Sequence, residues 1–200
     1  MTGWHRFKRT LAWRVARYFF IGTLAFLPAV VFLRFAQWQG VVSDERWMLA
    51  FRIASPFALA YLLAAMLRSS PSNRLVLATN VYLLGGGVMS FFQYWPGLAW
   101  YGRLREAAVM WIVVGVGIAA TFFSRAGFIA VRGGNARMIR RDSLLMLLAA
   151  FAGLAVAYAG RGSPLIAVVV PMMLISLLGH RLRAAHGDPQ ADQEAIDEKA

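Results

Sequence analysis

Residues 143–179 read SLLMLLAAFAGLAVAYAGRGSPLIAVVVPMMLISLLG. Two apolar runs, about Ser143 to Gly160 and Pro164 to Gly179, are joined by Gly160-Arg161-Gly162-Ser163 alone. A helix crosses the hydrocarbon core of a bilayer with ~20 apolar residues. The link is too short for a separate domain, so the stretch reads as a tight hairpin of two spanning helices. Strands of a membrane barrel alternate in and out over ~10 residues. These runs are apolar on every face, which disfavours that alternative.

Four more runs precede the hairpin. They cover about Tyr18 to Ala36, Trp47 to Leu67, Leu75 to Trp95 and Ala107 to Phe123. Composition agrees: 60% of the 200 residues are hydrophobic and 15% are charged, against ~25% charged in a soluble domain. A soluble chain this small could not hide so much apolar surface. The expected fold is all-α: a polytopic integral membrane bundle of six transmembrane helices, residues 18–183. Residues 1–17 form a basic lead-in, either an amphipathic helix on an anionic leaflet or an extension of the first span. Arg34-Phe35-Ala36 is a poor small-residue cleavage site, so the first span reads as a retained anchor and not a signal peptide. Residues 184–200 carry Asp188, Asp192, Glu194, Asp197 and Glu198. They read as a flexible acidic tail, either a solubilising end or a docking end for a partner.

The net charge of +12 would suggest nucleic acid in a soluble protein. Here the cations sit between the spans, where they set orientation. With the N-terminus in the cytoplasm, fifteen Lys and Arg fall on the cytoplasmic side and four fall outside, Arg46, Arg103, Arg105 and Arg161. That bias predicts both termini inside and no nucleic-acid partner. The strong preference for Arg over Lys, with many Ala, points to a bacterial chain and hence to the cytoplasmic (inner) membrane.

The chemistry of the chain is defined mostly by exclusion. There is no Cys, so thiolate metal sites and iron–sulfur clusters are ruled out. His5, His180 and His186 all lie in flanks, so no pair at membrane depth can ligate a haem. All nine acidic residues lie outside the spans or at their ends, whereas proton relays and many sodium sites use a buried carboxylate. No cofactor and no catalytic residue is expected. Asp142, at the start of the fifth run, reads as a helix N-cap or an exposed ion pair. Glu106 reads as a cap or a partner for Arg103 and Arg105. Ser55, Ser90 and Ser176 read as packing residues.

Arg34 and Arg52 are the two cations inside the spans, and intramembrane charge is a functional candidate by default. Topology puts them on adjacent antiparallel helices near the outer interface. One reading is a cationic outer-leaflet pocket for an anion or a lipid phosphate. The other has Arg34 snorkelling and Arg52 paired with Asp44, Glu45 or Glu106. Pro28, Pro56 and Pro171 fall inside spans, and a kink at Pro56 would open space beside Arg52. Asn80 and the triplet Gly85-Gly86-Gly87 mark the third span as either a close-packing surface or a local break beside a pathway. Phe91, Phe92, Tyr94, Trp95, Trp100 and Tyr101 read as an interfacial aromatic belt around a Pro96-Gly97 turn.

Three function classes follow. The first is a small transporter, channel or permease component using Arg34 and Arg52. The second is a non-catalytic accessory or assembly subunit of a larger membrane complex. The third is a lipid-handling membrane enzyme. The partners to expect are membrane lipids and another membrane protein or a second copy of the chain.

The orientation is directly testable in a Cys-free chain. Single Cys residues placed at Ser43, Gly97 and Ser163 should react with an impermeant thiol reagent on intact cells, and one at Ser72 should not. The reverse labelling pattern would overturn the assignment.

Overall fold

The computed structural model describes residues 25–36, 43–67, 73–131, 135–163 and 165–186. Among these, 85% are helical and no strand occurs. The helices are α1 (Ala25–Ala36), α2 (Asp44–Met66), α3 (Arg74–Phe91), α4 (Trp95–Leu104), α5 (Ala107–Phe123), α6 (Ala136–Ala159) and α7 (Val170–Ala185). A π-helical turn, Leu165–Val169, leads into α7. Pro171 lies at the start of α7 and has no N–H to give the carbonyl four residues back, that of Ala167. The chain adopts the wider turn directly before it.

Four of these helices are long and apolar enough to cross a membrane: α2, α3, α6 and the segment Leu165–Ala185. A fifth span results if α4 and α5, bent by 103° at their junction, are counted together. Of the first expected run, only the part from Ala25 onward lies within the described residues, and α1 is a shorter apolar helix. Residues 1–17 and most of the acidic tail lie outside the described residues, although α7 continues to Ala185, past the expected end at Gly179.

Local chemistry sets the helix starts. Ser43 Oγ accepts from the Arg46 N–H, with Asp44 and Glu45 in the first turn of α2, where carboxylates complement the helix dipole. Asn73 and Asn135 cap α3 and α6 by accepting from Leu75 and Arg137 N–H at 3.0 and 2.9 Å. The cap at Asn135 corrects the N-cap alternative for Asp142, which is instead paired with His186. Asp142 lies inside α6, not at its start, because the helix begins two turns before the apolar run.

The expected turn at Pro96-Gly97 is also corrected. Proline sits in the first turn of α4, a position where its missing N–H costs nothing. The chain reverses earlier, through Phe92 and Gln93, the latter with φ 51°. Trp95 and Trp100 remain exposed on α4, as suits an interfacial helix.

Contacts between helix ends make the neighbours antiparallel. The start of α2 meets the end of α3, where Ser90 Oγ donates to the Met48 carbonyl. The start of α5 meets the end of α6, where Trp111 Nε1 donates to Tyr158 Oη at 2.8 Å. The start of α6 meets the end of α7, where His186 Nε2 lies 2.8 Å from Asp142 Oδ2. The bundle therefore has an α4 end and an opposite end, where α3 starts and α7 finishes.

Two cores are joined through α3 and α5. One is aromatic. Phe51 of α2 lies 4.7 Å from Phe32, 5.4 Å from Tyr82 and 5.8 Å from Tyr101, ring centre to ring centre. Tyr82 and Tyr101 stack at 5.1 Å. The other core is aliphatic, with Met110, Val113, Met146, Ala150 and Ile175 from α5, α6 and α7. The segment after α5 belongs to it. Phe128, Ile129, Ala130 and Val131 are buried, so this segment folds back under the helices.

Glycines decide how closely α2 and α3 approach. A β-carbon at Gly86 would stand 2.4 Å from the Phe51 ring, and one at Gly87 2.1 Å from the Ser55 side chain. Gly115 on α5 faces open space. Gly86→Ala and Gly87→Ala should each destabilise the bundle by about 1–3 kcal/mol through overpacking. Gly115→Ala should be neutral or gain up to about 1 kcal/mol of helix propensity. Melting temperatures of the three variants in one detergent would check the ranking.

Candidate functional site

The site flagged in the sequence centres on Arg52, and its surroundings follow from the backbone upward. Pro56 has no N–H, so the carbonyl four residues earlier, that of Arg52, loses its helical partner. The Ser55 hydroxyl donates to that same carbonyl at 3.2 Å. Helix α2 thus runs unbroken from Asp44 to Met66, and Pro56 itself is exposed.

The Arg52 side chain reaches across to the end of α3. Its Nη2 donates to the Ser90 carbonyl at 2.8 Å, and its Nε donates to Ser90 Oγ at 2.9 Å. The last four carbonyls of a helix have no intrahelical partner. Those of Val88 and Met89 are met by Phe92 and Tyr94 N–H. Arg52 takes that of Ser90. The same contact places a cation at the negative end of the α3 dipole. Ser90 Oγ then donates onward to the Met48 carbonyl at 3.2 Å. Arg52 and Ser90 therefore tie three backbone positions into one network.

Arg34 lies on the exposed side of α1, whereas the Arg52 guanidinium is turned to Ser90 on α3. Asp44 and Glu45 are exposed, and the acceptors of the Arg52 fork are the Ser90 atoms, not a carboxylate. Asn80 is buried in α3. Its Nδ2 donates to the Val76 carbonyl at 2.8 Å and to that of Ala25 at 3.3 Å, fastening α1 to α3. Gly85 faces the Tyr101 hydroxyl, and Gly86 and Gly87 face Phe51 and Ser55. The structure thus brings Arg52, Gly86 and Gly87 together in one closely packed α2–α3 seam.

Two features escaped the sequence reading. Glu106, at the α4–α5 elbow, makes no side-chain cap bond, and its Oε2 is buried without a hydrogen-bond partner among the described residues. Asp142 and His186 form a close pair with side chains 16% and 6% exposed. The residues are 44 apart in sequence, and no local pattern signals their meeting.

No family model, no curated protein and no solved structure matches the chain.

If Arg52 is the cap of α3, removing it leaves a carbonyl and a hydroxyl unpaired. Arg52→Leu should cost about 1–3 kcal/mol. Arg52→Lys keeps a charge at the helix end but not the two-pronged fork, and should recover roughly half of the loss. Melting temperature in detergent reads both. Equal melting of all three forms would remove the cap from the account.

Proposed function

We propose that the protein is a multi-pass helical protein of the bacterial cytoplasmic membrane, with both termini inside. Its role is that of a non-catalytic accessory or assembly subunit, packing against another membrane protein or a second copy of the chain. The observation that carries this reading is the filled α2–α3 seam. Passage of an anion beside Arg52 would need a mobile guanidinium and a gap at the glycine triplet. The guanidinium holds Ser90, and Gly86 and Gly87 are packed against Phe51 and Ser55. Arg52, Gly86 and Gly87 are thus engaged in the contact between α2 and α3.

One observation keeps the transport reading as a second possibility. The buried, unpartnered Oε2 of Glu106 is the kind of group that ion-handling membrane proteins use. Its place at a bent helix junction fits a site where the backbone is irregular.

The two readings separate in one preparation. The full chain is purified from its own membranes in mild detergent, and mass and composition are determined. A stoichiometric membrane protein or a dimer of the chain is the expected result. A lone monomer that supports anion or proton flux in liposomes, with the flux abolished by Glu106→Gln, would overturn the subunit reading in favour of transport.

A further inference from the structure

At the end of the bundle where α3 starts and α7 finishes, a small cavity lies beneath the folded-back segment after α5. Arg74, Asn73, Ser176 and Arg183 line it beside Phe128 and Met146. Its volume is ≈ 10 Å³ and it is partly open to the surface, room for a single oxygen-sized group.

Among the described residues the lining is cationic and carries no counter-charge. Two guanidinium groups border the cavity and no carboxylate does. The Asp142 carboxylate at this end of the bundle is engaged by His186. Arg74 Nη2 donates to Ser124 Oγ at 3.1 Å. Arg74 Nε, by contrast, is buried and has no hydrogen-bond partner among the described residues. Arg183 donates through Nε to the Gly179 carbonyl at 3.2 Å. A buried, charged N–H without an acceptor is costly, and it needs an anionic oxygen more than any neutral one.

We propose that this notch binds a phosphate group, with one anionic oxygen entering between Arg74 and Arg183 and the rest of the group at the mouth. Guanidinium forks match phosphate geometry. The notch lies at helix ends, at headgroup depth in a spanning bundle, and basic pockets between helices on the cytoplasmic side recognise acidic headgroups. The phosphate comes either from an anionic lipid of that leaflet or from solution as the free ion. The notch rests on the membrane orientation proposed above, but not on the subunit role or the Arg52 seam.

The test uses the full chain in nanodiscs holding phosphatidylglycerol and phosphatidylcholine in equal amounts, with retained lipid read by native mass spectrometry. In a parallel arm, inorganic phosphate is titrated against melting temperature in detergent. The variants are Arg74→Gln, Arg183→Gln and Arg181→Gln. The last removes the same charge from an exposed position on α7 outside the cavity. The wild type is expected to retain phosphatidylglycerol selectively, or to be stabilised by phosphate alone if the ligand is the free ion. Each cavity variant should weaken that binding about tenfold, the loss of one charged hydrogen bond, while Arg181→Gln stays within about twofold. Should Arg74→Gln fail to fold, Arg183→Gln at the helix end carries the comparison. Equal retention of both lipids with no response to phosphate would overturn the proposal. So would an Arg181→Gln loss as large as that of the cavity variants, since it would reduce the effect to general attraction by a basic face.

Discussion

In hydrocarbon there is no water to take up a stray carbonyl or N–H, so each backbone group displaced from a helix ladder needs a protein partner. Much of the specific side-chain chemistry of this chain answers that constraint. Pro56 frees the Arg52 carbonyl, and the Ser55 hydroxyl takes it. The end of α3 frees the Ser90 carbonyl, and the Arg52 guanidinium takes it. The segment after α5 buries the Phe128 N–H, and Ser143 Oγ accepts from it at 3.0 Å. Serine and arginine in these helices are therefore explained by the backbone around them before any ligand is invoked.

The same constraint explains why close approach, and not apolarity, organises the packing. Lipid tails are as apolar as Leu, so burial alone does not drive helices together. Contact must come from shape, and α2 and α3 supply it with Gly86 and Gly87 on one side and Phe51 and Ser55 on the other. Once Phe51 is seated, Tyr82 and Tyr101 meet it edge-on and Phe32 at a tilt. Such ring pairs contribute about 0.5–1.5 kcal/mol each beyond their area. The seam thus positions α1 and α4 as well as the two helices that form it.

The helical class was legible in the apolar runs, because run length is a direct consequence of bilayer thickness. The α5 bounds, Ala107–Phe123, coincide with the run read from sequence, since Glu106 and Ser124 end the apolar stretch abruptly. Two errors have physical causes. Pro-Gly after Trp95 looks like a turn, yet proline in a first helical turn is equally favourable, and the sequence does not distinguish the two. The burial of the segment after α5 went unread because Arg125 and Arg132 flank it, although the apolar run Phe128-Ile129-Ala130-Val131 was a signal that it returns to the core. The partner of Arg52 was invisible for a different reason. A guanidinium invites a search for carboxylates, whereas its acceptors here are a serine 38 residues away.

That folded-back segment carries the last link in the structure. Gly127 takes φ +64°, and a β-carbon there would stand 2.1 Å from Ser143 Oγ, so only glycine lets the chain pass against α6. The turn delivers Phe128 against Gly117, where its ring would lie 2.7 Å from an added β-carbon. Gly117 is six residues before the end of α5, or about 9 Å up the helix at 1.5 Å per residue. The phenyl group is therefore a wedge driven into the bundle from its end. By holding the end of α5 in place, the wedge fixes Ser124, and Ser124 Oγ orients the Arg74 guanidinium. A residue that sequence reading counts only as an orienting charge is thus held in one geometry by a chain of contacts running through Gly127, Phe128 and Ser143. An arginine whose only task was to mark the cytoplasmic side would need no such support.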